Sequence, residues 1–181
     1  MNTPEDSNEY VLHPGEFWFG GGDARVRTLL GSCVAITMWH PARRIGGMCH
    51  YMLPVRPKRQ REDDLDGRYA DEAMELFFRE MHSRGCRPAE FEVKLFGAGN
   101  MFPELKSCGG CVPTPKGNLG GACRNVSCRN ATTALELAQR FGLKVTAESL
   151  GGSGSRQVIF DTGSGDVWVR QGGVSADGAS A

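Results

Sequence analysis

One stretch, residues 28–54, constrains this chain more than any other. It runs Thr28-Leu-Leu-Gly-Ser-Cys33-Val-Ala-Ile-Thr-Met-Trp39, then His40-Pro-Ala-Arg-Arg44, then Ile45-Gly-Gly-Met-Cys-His50-Tyr-Met-Leu-Pro54. Val34, Ile36 and Met38 fall on one strand face, with Ala35, Thr37 and Trp39 on the other, and the Pro-containing segment after them reads as the turn of a hairpin. A hairpin of this length brings the start of its first strand beside the end of its second. Cys33 and His50 then become neighbours, and a thiol beside an imidazole is the basic unit of cysteine nucleophilic catalysis. Gly31 permits a backbone shape that a larger residue resists, which suits a nucleophile on a sharp turn. Pattern alone leaves a plainer reading open, since cysteine is among the most often buried residues and a strand histidine is commonly a hydrogen-bonded core residue. Cys49 alternates away from His50 and points to the opposite face, which makes it a poor rival nucleophile.

Composition removes several functions. The 181 residues carry 21 acidic and 21 basic side chains, and the short basic patch Lys58 to Arg61 runs directly into Glu62-Asp63-Asp64. That pattern is a solvated loop, and no nucleic-acid partner is expected. The start, Met1 to Glu9, is polar and acidic, and no apolar run is long enough to cross a bilayer, so no direct membrane insertion is expected. Seven cysteines, an odd number, without an export signal suggest free thiols in a reducing cytoplasm. The length suits one domain whose core needs no disulfides.

Along the chain, residues 1–9 are expected as a flexible tail, 10–170 as a single domain and 171–181 as a disordered tail rich in Gly, Ser and Ala. Tyr10 to Phe19 reads as a short edge strand. Tyr69 to Arg84 reads as a helix whose stripe is Ala70, Ala73, Met74, Phe77, Phe78 and Met81, with Glu72, Glu75, Arg79 and Glu80 off it and Gly85 as its stop. Phe91 to Phe96 alternates as a strand and enters Gly97-Ala98-Gly99, small residues that allow close backbone approach. Arg124 to Phe141 reads as a second helix with Val126, Thr133, Leu137 and Phe141 near one side. Leu143 to Ala147, Arg156 to Asp161 and Val167 to Arg170 read as strands. Hairpin strands with only two long helices predict an α+β fold rather than a doubly wound one.

The run from Thr28 to Ile36, Gly46-Gly47 and His50 to Pro54, followed in order by Lys94-Leu-Phe-Gly-Ala98, Arg124-Asn125-Val126 and Gly151-Gly152 through Arg156, resembles the CheD family of chemoreceptor glutamine deamidases. The resemblance runs from about Tyr10 to Val169. It departs at Gly97-Ala98-Gly99, where the family pattern has paired glycines directly after the phenylalanine. It implies a layered α/β sandwich of mostly antiparallel strands with two long helices outside. It also implies a cytoplasmic, cofactor-free hydrolase that converts receptor glutamines to glutamates through a thioester. In that chemistry Cys33 is the nucleophile, its pKa lowered by a cation such as histidinium. His50 holds the thiolate as an ion pair and protonates the departing ammonia, and the Cys33 N–H supplies an oxyanion donor. The resemblance further points to Thr28 as the acceptor that orients His50, against the alternative of a strand threonine satisfying its own hydroxyl. The implied partners are the cytoplasmic helical region of methyl-accepting receptors and a CheC-type phosphatase.

A second cysteine group, Cys108, Cys111, Cys123 and Cys128, has C-x2-C spacing in its first half. It is readable as a zinc site, a redox pair or free loop thiols. Residues five apart in a helix cannot both face one ion, which counts against Cys123 together with Cys128, although Cys123 could still join the first pair from the helix start. Free loop thiols, with no metal, are the expectation. The rival functional readings are a non-catalytic adaptor that binds receptor or phosphatase, and a small zinc module.

Overall fold

The computed structural model describes residues 8–58, 61, 64–102 and 124–172. Among these residues nine strands form two sheets, and two α-helices cover one of them. The strands are β1 (Asn8–Leu12), β2 (Phe17–Gly21), β3 (Ala24–Leu30), β4 (Val34–His40), β5 (Ile45–Tyr51), β6 (Glu92–Gly97), β7 (Lys144–Leu150), β8 (Arg156–Asp161) and β9 (Val167–Gln171). The helices are α1 (Ala70–Ser83) and α2 (Val126–Arg140). One sheet has the order β1-β3-β8-β9 and the other β2-β5-β4-β6-β7. Antiparallel pairs dominate, and β1–β3 and β6–β7 are the parallel exceptions. The layers are therefore helices, five-stranded sheet, four-stranded sheet, an α+β sandwich of the kind the sequence predicts.

The hairpin β4–β5 sits at the middle of the molecule, flanked by β2 and β6. Alternation sends Val34, Ile36, Met38, Cys49 and Tyr51 to the helix side, where they pack with Ala73, Met74 and Phe77 of α1 and Ala134 and Leu137 of α2. It sends Ala35 and Met48 the other way, against Leu12, Val26, Leu30, Val158 and Phe160 of the second sheet. A strand covered on both faces has no solvent side, and β4 and β5 are buried almost throughout. β3, with one covered face, alternates instead: Ala24, Val26, Thr28 and Leu30 point in and Arg25 and Leu29 point out.

Several expectations need correction. The segment expected as one edge strand is two strands in different sheets, because the turn His13-Pro-Gly-Glu16 carries the chain from one to the other; Gly15 takes φ +87° there. β1 begins at Asn8, inside the segment expected as a tail. Glu72, expected off the apolar stripe, is buried in α1 because Arg56 grips both its oxygens, at 2.8 and 2.5 Å. On α2 the inward face is Ser127, Asn130, Thr133, Ala134, Leu137 and Ala138, whereas Val126 and Phe141 lie exposed. Gly85 does close α1 in the left-handed region, at φ +64°. Cys108, Cys111 and Cys123 lie outside the described residues.

Candidate active site

The residues singled out from sequence meet where β3, β4 and β5 come together. Across the β4–β5 ladder, Ala35 pairs with His50, so the two side chains share the face that looks toward the second sheet. Cys33 stands two residues before Ala35 and packs on that same layer. It is half-buried, in the bend of Gly31-Ser32-Cys33 just ahead of β4. Cys33 lies just ahead of the β4–β5 ladder, which begins at Val34, and no hydrogen bond joins its sulfur to His50.

Thr28 approaches from β3 in the facing sheet. Its hydroxyl lies 2.7 Å from His50 Nδ1 and 2.7 Å from the Leu12 carbonyl oxygen. A carbonyl only accepts, so the single hydroxyl proton is donated to Leu12. The contact with His50 must then be made by an Nδ1–H donating to the threonine oxygen. This fixes the imidazole tautomer and leaves the lone pair on Nε2. That atom is buried and has no hydrogen-bond partner among the described residues. Leu12 is held beside Thr28 by the parallel β1–β3 register, which pairs the two. Nothing in the local sequence signals this, since the chain passes through β2 of the other sheet between the two strands.

The backbone of His50 is fastened from the other side by the turn 13–16. Gly15 N–H donates to the His50 carbonyl at 2.7 Å, and His50 N–H donates to the Glu16 carbonyl at 3.1 Å. The histidine is thus held through its ring and both of its backbone groups. A cleft of about 310 Å³ opens beside this turn, lined by Tyr10, Val11, Leu12, Glu16, Phe17 and Trp18. It does not include Cys33.

Electrostatics run against a standing thiolate–imidazolium pair. Burial pushes the Cys33 thiol up, opposed by a hydrogen bond from the Ser32 side chain. Burial also pushes His50 down to about 4, helped by the neighbouring His13 and opposed by Glu16. Both shifts favour the neutral forms over the ion pair expected from sequence. Cys49, on the helix side, is fully buried and pushed up to about 12 by that burial. It has neither a route to substrate nor an accessible thiolate.

Gly31 does not take a left-handed conformation, so its smallness has another purpose. A Cβ there would stand 3.2 Å from Met101 Cγ, and Gly31 keeps that crowded side of the bend clear. Gly97 and Gly99 permit the close approach expected of them. A side chain at Gly97 would run into the Cys33 carbonyl, and one at Gly99 into the Gly154 carbonyl. Ala98, between them, takes φ 55°, a conformation glycine adopts more readily. Its N–H donates to the Cys33 carbonyl at 2.7 Å. Among the described residues no group of His, Cys, Asp and Glu has the arrangement of a metal site.

Comparison with known proteins gives this arrangement a family. A profile described as CheD chemotactic sensory transduction matches residues 52–171, which leaves Thr28, Cys33 and His50 ahead of the matched segment. Whole-chain relatives extend through them. A protein of Pseudomonas syringae pv. syringae named probable chemoreceptor glutamine deamidase CheD is 51% identical over 170 residues, covering 94% of this chain and 88% of its own. One from Albidiferax ferrireducens, named probable chemoreceptor glutamine deamidase CheD 2, is 43% identical over 94% of this chain and 91% of its own. One from Leptospira interrogans, named probable chemoreceptor glutamine deamidase CheD 1, is 35% identical over 93% and 95%. With a family match over most of its length and relatives this similar end to end, the chain belongs to the CheD family.

Proposed function

We propose that this protein is a chemoreceptor glutamine deamidase that works through Cys33, His50 and Thr28. The observation that carries the mechanism is the proton of Thr28. Committed to Leu12, it forces His50 to present a bare Nε2 on the face it shares with Cys33. The relatives' names supply the substrate: the side-chain amide of a glutamine on a chemoreceptor.

Because the pair rests neutral, His50 acts first as a general base. As the Cys33 sulfur attacks the amide carbon, its proton passes to Nε2 and the carbonyl oxygen becomes an oxyanion. The imidazolium so formed is stabilised by Thr28 at Nδ1. It gives its proton to the amide nitrogen, the C–N bond breaks, and ammonia leaves a thioester on Cys33. Water, deprotonated by the same Nε2, then attacks the thioester. The sulfur leaves, recovers its proton, and a glutamate remains on the receptor. The product is one carboxylate in place of one neutral amide, which changes charge repulsion on a helical receptor surface.

Two finer parts belong to this reading. The reaction takes place in the cytoplasm, on the receptor's helical cytoplasmic region, and a CheC-type phosphatase is a second binding partner. Among the described residues no helix is long and apolar enough to cross a membrane. The test is incubation of the protein with a purified receptor cytoplasmic fragment, followed by peptide mass spectrometry. Gains of about one dalton at specific glutamines are expected, with release of ammonia. A receptor left unchanged while still bound by the protein would favour the non-catalytic adaptor instead.

A further inference from the structure

The bend that carries Cys33 has an unusual division of its backbone groups. All three of its carbonyls are occupied: Gly31 O accepts from Gly99 N–H at 2.8 Å, Cys33 O from Ala98 N–H at 2.7 Å, and Ser32 O from the side chain of Asn130 at 3.0 Å. Its Ser32 and Cys33 N–H groups, by contrast, donate to no acceptor among the described residues. Backbone N–H groups left free in a folded bend are the raw material of an oxyanion site.

Asn130 is the outlying member of this set. It lies in the middle of α2, 98 positions from Ser32 in sequence, and it is completely buried. Its Nδ2 also donates to the Met52 carbonyl at 2.8 Å, and its own carbonyl accepts from the Tyr51 hydroxyl at 2.6 Å. One residue therefore ties the helix to the nucleophile's bend and to the end of the strand that carries His50. Its Oδ1 is buried without a partner. An unmet buried acceptor is costly to keep, and an apolar residue there would avoid that cost. The two amide donors are what the position needs.

The Ser32 carbonyl and the Cys33 N–H belong to one planar, trans peptide, so they point in opposite directions. Fixing the oxygen on α2 turns the N–H away from the helix layer. We propose that Asn130 is a positioning residue for the deamidation reaction: by holding the Ser32 carbonyl it aims the Cys33 N–H at the oxyanion of the tetrahedral intermediate. The proposal rests on Cys33 being the nucleophile, and it adds a group on a distant helix, 98 positions from Ser32, whose effect is on transition-state stabilisation.

The test separates oxyanion stabilisation from nucleophile activation. Alkylation of Cys33 by iodoacetamide needs the thiol and its base but forms no oxyanion, whereas deamidation of the receptor fragment needs all three. In Asn130→Ala and Asn130→Asp, the second nearly isosteric but without donors, kcat for deamidation should fall about 10- to 100-fold with KM within about twofold, somewhat less than the loss of an oxyanion donor itself. Cys33 alkylation, per folded molecule by circular dichroism, should stay within about threefold. A purely structural role would lower both rates in proportion to the folded fraction. That outcome, unchanged kcat in either folded variant, or failure of both variants to fold, would overturn the proposal. If instead Cys33→Ala keeps deamidase activity, the underlying assignment of the nucleophile is what fails, and the Asn130 result does not bear on it.

Discussion

Cys49 and His50 are adjacent in the chain and divided by the pleat of β5. Cys49 enters the helix-side core, with Ile36, Met74 and Phe77 in the same apolar cluster. His50 enters the layer between the two sheets, where Thr28 and Arg156 are also buried. The helix-side layer gains its stability from close-packed apolar side chains and holds its cysteine inert. The sheet–sheet layer accepts buried polar groups, each of which must find partners from distant strands. Cys33 differs from Cys49 in having the imidazole on its side of the sheet and in being only half-buried.

Removing the two thiols should break this comparison most visibly. Cys33→Ala is expected to abolish deamidation of a receptor fragment, as read by peptide mass spectrometry, while its circular dichroism stays that of the parent. Cys49→Ala should keep deamidation within a few-fold, at a stability cost of about 1–2 kcal/mol from the small cavity. Equal activity losses in the two variants would deny any division between the faces.

Next in size is His50, the base of the proposed reaction. His50→Gln should lower the rate by about 10² to 10⁴, the usual worth of general acid–base help. The alkylation rate of Cys33 near neutral pH should fall with it. An unchanged alkylation rate would mean that thiol and imidazole do not communicate.

Thr28 sharpens the same comparison at a smaller scale. Thr28→Val removes the acceptor for Nδ1–H and frees the ring to adopt the wrong tautomer, with an expected loss of roughly 10- to 100-fold, less than loss of the ring itself. Thr28→Ser should restore most of the rate, since it returns the hydroxyl. Failure of serine to rescue would assign the threonine to packing.

The smallest effects are on stability against pH, and they have opposite signs on the two faces. His50 is held at about 4 in the folded state against an ordinary 6.5. The unfolded chain therefore binds its proton first as pH falls. The contribution of neutral His50 is fully present above 6.5 and is lost as pH drops toward 4. Cys49 is held at about 12 against 9.0, so its contribution is present below 9 and is lost as pH rises toward 12. Urea midpoints across pH should show both limbs, the acid one flattened in His50→Gln and the alkaline one in Cys49→Ala. Unaltered limbs in these variants would place the titrating groups elsewhere.

Much of this was legible in the sequence, because strand periodicity is local. The alternation around Cys33, Cys49 and His50 gives the hairpin and its faces, and the stripe from Ala70 to Met81 gives α1. What was not legible rests on contacts between distant segments. Nothing near Glu72 announces the guanidinium of Arg56, and nothing near Leu12 announces the threonine that donates to it. The resting charge of the pair was also hidden, since desolvation depends on the second sheet lying over the site. Spacing alone gives only a thiol and an imidazole on one face of a hairpin, and the motif resemblance is what points to a deamidase.

The central claim is that a receptor glutamine becomes covalently bound to Cys33 during turnover. Acid-quenched samples taken during reaction with a glutamine-bearing receptor peptide, digested and measured by mass spectrometry, test it most directly. The account predicts a peptide-acyl adduct of one peptide mass less ammonia on the fragment containing Cys33, and none on the fragment containing Cys49. Steady formation of glutamate in samples where Cys33 stays unmodified at every time point, and where Cys33→Ala turns over at the parent rate, would contradict it.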